Sequence, residues 1–154
     1  MLVDTPVPPS VPSLTSSVGL LAMLEEDERE IKVHALTKLN EVVADFWAEI
    51  SESLPDIESL YEDDDFPQRR LAALVASKVY YFLGEMGDAL AYALGAATLF
   101  DVTEKSEFVQ TLLAKAIDEY CMLHSKRAAA ALAAERGAEP EGEAAPIDER
   151  LNEL

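Results

Sequence analysis

Between Ile31 and Ile50, the residues Ile31, Ala35, Leu39, Val42, Val43, Phe46 and Ile50 recur at helical spacing. That spacing places their side chains on one face of an α-helix. Leu36 and Trp47 lie beside this stripe and widen it onto a second side. A helix on the surface of a domain needs one buried stripe, whereas a helix apolar on two sides must be sandwiched between neighbours. The chain is therefore expected to fold as stacked helices, with Trp47 buried between them.

The flanking sequence supplies the neighbours. Thr15 or Ser16 is placed to cap a short helix carrying Val18, Leu20, Leu21, Met23 and Leu24, which Gly19 weakens. Asp27 is the expected cap of the sandwiched helix. Ser51 to Pro55 breaks or kinks it, and Ile57, Leu60 and Tyr61 make a short helical turn. The acidic run Glu62, Asp63, Asp64 and Asp65 ahead of Pro67 reads as a helix start. Carboxylates complement the positive end of a helix, and Pro fits its first turn. Leu71, Leu74, Val75, Val79 and Phe82 form the next stripe, with Ala72, Ala73 and Ala76 allowing close approach of another helix. Gly84 to Gly87 makes a tight turn, and Asp88 is the expected cap of a helix holding Leu90, Ala93, Leu94 and Ala97. After a loop near Asp101 to Glu104, Val109, Leu112, Leu113, Ala116, Ile117 and Tyr120 mark a long amphipathic helix.

The region from Ala76 to Leu99 thus reads as an antiparallel helical hairpin of tetratricopeptide type. Stacked hairpins of this kind form α-solenoids whose surfaces bind other proteins. The expected fold class is all-α, with 154 residues and 49% hydrophobic residues enough for one compact domain. Pro6, Pro8, Pro9 and Pro12 make residues 1–15 an expected disordered lead. Residues 16–125 form the helical-repeat domain. Residues 126–145 are an Ala/Glu-rich helix extension and flexible loop, and residues 146–154 begin a further helix.

Charge and chemistry narrow the function. Twelve basic residues stand against 30 acidic ones, a net charge of −18. Such a chain repels nucleic acid and anionic membranes and favours basic protein surfaces. The single Cys121 permits no internal disulfide, which fits a reducing compartment. The N-terminal residues lack the pattern of a signal peptide, so the expected location is the cytoplasm and nucleus.

Metal and nucleophile patterns are missing. His34 and His124 are far apart, and no Cys/His cluster surrounds either. Cys121 reads as a buried structural thiol, although His124 follows it by one helical turn. A calcium loop starting at Asp63 would need Gly at its sixth position and Glu at its twelfth, where Gln68 and Leu74 stand. Lys78 falls near the apolar face of its helix, where its stem would pack and its amine snorkel or meet a carboxylate. The reading is of a chain that is not an enzyme, with no catalytic, cofactor-binding or metal residues, no cofactor and no small-molecule substrate.

Three stretches carry a resemblance: ALTKLNEVVADFWAEISES from Ala35 to Ser53, IESLYEDDDFPQRRLAALVASKVYYFLGEMGDALAYALGAA from Ile57 to Ala97, and PIDERL from Pro146 to Leu151. They resemble the N-terminal region of the 26S proteasome non-ATPase regulatory subunit 1 family. The entry helix ending Met23-Leu24-Glu25-Glu26-Asp27-Glu28 and the stretch Leu99 to Tyr120 are similar too. The resemblance covers about Ser16 to Leu154, apart from Lys126 to Ala145. It implies the N-terminal helical rod of a several-fold longer scaffold, without the toroid of proteasome/cyclosome repeats. It also implies a structural role in ubiquitin-dependent degradation, with the lid and base subunits of the regulatory particle as partners. A free-standing tetratricopeptide-like adaptor is the alternative.

Overall fold

The computed structural model describes residues 14–137. The expectations for residues 1–13 and 138–154 lie outside the described residues. Those described form six α-helices: α1 (Val18–Leu24), α2 (Arg29–Ser51), α3 (Leu54–Glu62), α4 (Arg69–Leu83), α5 (Met86–Ala96) and α6 (Glu107–Glu135). A single 3₁₀ turn, Ala97–Leu99, follows α5. The architecture is all-α, a stack of helical hairpins of solenoid type.

The helix α4 is the shared wall. One core gathers Leu36, Leu39, Val43 and Ile50 of α2, Leu54, Ile57 and Leu60 of α3, and Val75, Ala76 and Val79 of α4. A second core gathers Ala73 and Leu74 of α4, Leu90 and Leu94 of α5, and Val109 and Leu112 of α6. Burying each large aliphatic side chain contributes about 1.5–3 kcal/mol. Ala72, Ala73, Ala76 and Ser77 are fully buried. Ala72 and Ala76 leave room for α2 and α3, while on the other side Ala73 and Ser77 let α5 approach closely enough for the Ser77 hydroxyl to donate to the Ala89 carbonyl at 2.6 Å. That bond satisfies the one polar group α4 buries in the wall.

The turns follow local chemistry. Pro55 sits in the first turn of α3, where its missing N–H costs nothing. Gly84 ends α4 in the left-handed conformation at φ 83°, which glycine adopts without a Cβ penalty. Only Gly84 and Glu85 separate α4 from α5. Ser106 caps α6, its hydroxyl accepting from the Val109 amide.

Several expectations need correction. Neither Asp27 nor Asp88 is a cap. Glu28 and Glu85 occupy those positions, without side-chain cap bonds, and Asp88 lies inside the first turn of α5. The acidic run does not start a helix. Glu62 closes α3, and the Asp65 amide donates to Asp63 Oδ1 at 2.9 Å. The run instead ties the start of α4 to the start of α2, through an Asp64–Arg69 ion pair and a bond from Arg29 Nη1 to the Asp65 carbonyl. Trp47 is half-buried, because its ring lies against Phe82 near the open end of the α2–α4 contact. Ile117 is 62% exposed. Of the 29 residues in α6 only Val109, Leu112 and Ala116 are buried, since α5 covers only its first turns.

Candidate interaction surface

Four places concentrate polar or aromatic side chains, and each is built by more than one helix. The first is at the entry. Ser17 is fully buried. Its amide and hydroxyl donate to Glu49 Oε2 at 2.8 and 2.7 Å, and the Ser16 hydroxyl donates to the same oxygen at 3.0 Å. A carboxylate at the N-terminal end of a helix is favoured by the helix dipole. Glu49 therefore caps α1 from α2. The Ser17 and Ser16 bonds hold its carboxyl below the usual carboxylate value. Thr15 and Ser16 drew the sequence reading because hydroxyls cap locally. The Ser16 hydroxyl does accept locally, from the Val18 amide at 3.2 Å, but the acceptor for Ser17 is 32 residues away, at the edge of the α2 stripe three residues beyond Phe46.

The second is a seam of tyrosines joining α3, α4 and α5. The Tyr80 and Tyr92 rings stack with centroids 5.5 Å apart, and Tyr61 meets Tyr92 edge-on at 5.7 Å. The Tyr80 hydroxyl donates to Glu58 Oε1 at 2.5 Å. That carboxylate pushes the Tyr80 phenol up to about 12. Burial, then the same carboxylate, pushes the Tyr92 phenol up as well. Tyr61 also lies so close to Gly95 that a Cβ there would meet its ring. An open cleft of about 310 Å³ lies beside this seam, lined by Tyr61, Arg69, Arg70, Leu94, Gly95 and Ala97.

The third is Lys78. Its ammonium donates to Asn40 Oδ1 at 2.8 Å, across the α2–α4 contact. The sequence suggested an amine that snorkels or meets a carboxylate, and the partner is an amide. Burial pushes the Lys78 ammonium down, and the Glu104 carboxylate opposes that shift through space.

The fourth is a second aromatic row, on α2, α4 and α6. Trp47 stacks on Phe82 at 6.2 Å, Phe82 meets Tyr81 at 5.2 Å, and Tyr81 meets Phe108 at 5.4 Å. Phe108 then reaches the buried Phe100 at 5.8 Å. Phe82 is 37% exposed and Leu83 beside it 42%. The sequence reading placed Phe82 in a buried stripe, and no local signal marked it as the exposed member.

The residues considered for chemistry do not converge. His34 is exposed on α2. His124 is exposed on α6 with its ring 4.2 Å from that of Tyr120. Cys121 is exposed, contrary to the expected buried thiol, because it lies beyond the last buried residue of α6, Ala116. Among the described residues no group of three or more His, Cys, Asp and Glu side chains is placed to hold a metal ion. No described helix is long and apolar enough to cross a membrane. The arrangement presents broad helix faces, not a pocket of converging polar groups.

Comparison with known proteins gives the family. The sequence profile of the family described as "26S proteasome subunit RPN2, N-terminal domain" matches residues 15–154. The chain is 60% identical over 119 residues to an Arabidopsis thaliana protein named 26S proteasome non-ATPase regulatory subunit 1 homolog A, covering 76% of this chain and 12% of that protein. It is 51% identical over 115 residues to the Saccharomyces cerevisiae 26S proteasome regulatory subunit RPN2, covering 75% and 12%. To the Schizosaccharomyces pombe 26S proteasome regulatory subunit rpn2 it is 44% identical over 139 residues, covering 90% and 13%. The chain spans only 12–13% of the length of these curated relatives.

Proposed function

Because the chain belongs to the family of the N-terminal domain of 26S proteasome subunit RPN2, we propose that it is a non-catalytic scaffold segment of the proteasome regulatory particle. It supports ubiquitin-dependent degradation by holding protein surfaces in place. Its partners are other regulatory-particle subunits of the lid and base, and its location is the cytoplasm and nucleus. The observation that carries this reading is the sequence match from residue 15 to residue 154. The construction of the fold supports it. Hairpins stacked through α4 leave long helix faces open, which suits wide protein contacts and not substrate turnover.

The adaptor reading draws less support. Tetratricopeptide-type adaptors that clamp acidic peptide tails need several free cations in their groove. Here Lys78 is bound to Asn40, and Arg69 is engaged by Asp64 and by the Tyr61 carbonyl.

Affinity capture of the full-length protein that contains this segment tests the proposal. Lid and base subunits should be recovered at fixed stoichiometry, and their absence would sink it.

A further inference from the structure

Resting on that scaffold reading, we infer that the open aromatic row across α2, α4 and α6 is a docking surface for a basic amphipathic helix of a partner protein. The row differs from the tyrosine seam on the other side of α4. There every phenol is packed among three helices, and a carboxylate ties the centre. Here the chain of rings Trp47, Phe82, Tyr81 and Phe108 spans both cores, yet Phe82 in its middle stands 37% exposed and Leu83 follows at 42%. Exposed aromatic side chains set against a rigid apolar floor are what the centres of protein interfaces use.

Charge selects the partner. Glu85 follows Leu83 by two residues, Glu107 adjoins Phe108, and the field of Glu104 reaches Lys78, one turn before Phe82. The cations nearby are Lys78, whose ammonium is bound to Asn40, and Lys105 in the loop. The balance of this rim is acidic, within a chain of net charge −18. A helix with large apolar residues at i, i+4 and i+7 and Lys or Arg on its flanks complements the row in both respects. An acidic partner would meet repulsion.

Trp47 is the only tryptophan in the chain, so it reports from within the row. The test titrates the purified full chain with a synthetic 18-residue leucine–lysine peptide patterned as an amphipathic helix. A leucine–glutamate peptide of the same pattern is the control. Saturable binding of the lysine peptide should shift the Trp47 emission, and the glutamate peptide should not bind. Phe82→Ala should weaken binding about tenfold. The double change Glu104→Lys, Glu107→Lys leaves the cores untouched and should weaken it as well, with far-ultraviolet circular dichroism checking the fold of both variants. Binding that leaves Trp47 emission unmoved, equal binding of both peptides, or unaltered affinity in the two variants overturns the inference. Failure here leaves the affinity-capture result standing, so the two proposals fail separately.

Discussion

The helices α4 and α6 are built from similar residues and do opposite jobs. In α4, seven of 15 residues are buried, and they face two cores. In α6, three of 29 are buried, all in its first half. Helix propensity does not explain the difference, because Ala128 to Ala134 of α6 is richer in strong helix formers than α4. Neighbours do. The small residues of α4 are where other helices come close, whereas the alanines in the second half of α6, such as Ala128 and Ala129, face outward. Alanine in this fold means contact in α4 and exposure in the second half of α6.

Substitutions put that contrast to the test. The largest effect is expected at Leu39, fully buried in the core that α2 shares with α4. Leu39→Ala should cost about 3 kcal/mol in urea unfolding, while Leu132→Ala on exposed α6 should stay within about 0.5 kcal/mol. Next is the alanine contrast itself. Ala76→Leu forces a larger side chain into the α4 wall and should cost about 2 kcal/mol. The same change at exposed Ala129 should leave the urea midpoint nearly unmoved.

A smaller effect concerns Tyr80, which anchors α4 to α3 through Glu58. Its phenol is raised above the ordinary value of 10.0 to about 12. The folded state thus favours the neutral phenol. That stabilisation is fully present below pH 10 and is lost as pH rises toward 12. Thermal melts between pH 9 and pH 12 should show the decline, and Tyr80→Phe should make it shallower, the raised Tyr92 phenol keeping its own share. The smallest effect is a gain. Ala97 sits at φ 51°, ψ −120°, where α5 hands over to the loop before α6. Side chains are disfavoured there, so Ala97→Gly should raise stability by about 1 kcal/mol.

The sequence makes α4 legible and leaves much of α6 misleading. The stripe Leu74, Val75 and Val79, the alanines beside it and the Gly84 turn all describe what α4 touches. In α6 the same periodic signal continues through Ile117, which is exposed. Periodicity records which side of a helix is apolar and not whether a neighbour is present to cover it. Long-range polar pairings were equally hidden. Glu49 with Ser16 and Ser17, and Lys78 with Asn40, join residues more than 30 positions apart, and no local spacing encodes them. The family, by contrast, is readable from Ala35 to Ser53, Ile57 to Ala97 and Pro146 to Leu151 taken together, and the first two stretches carry side chains that fit α2 to α4 and α4 to α5.

The two-residue link at Gly84 and Glu85 has a consequence in time. The α4–α5 interface is the most extensive between any two described helices, and closing so short a loop costs little entropy. Interfaces between sequence neighbours form fastest. A ribosome adds about 5–20 residues per second, so this hairpin closes while α6 is still being made. The α4–α5 hairpin then becomes the template on which the earlier helices as well as α6 settle. Pulsed hydrogen exchange during refolding should find the amides of α4 and α5 protected before those of α1 and α6.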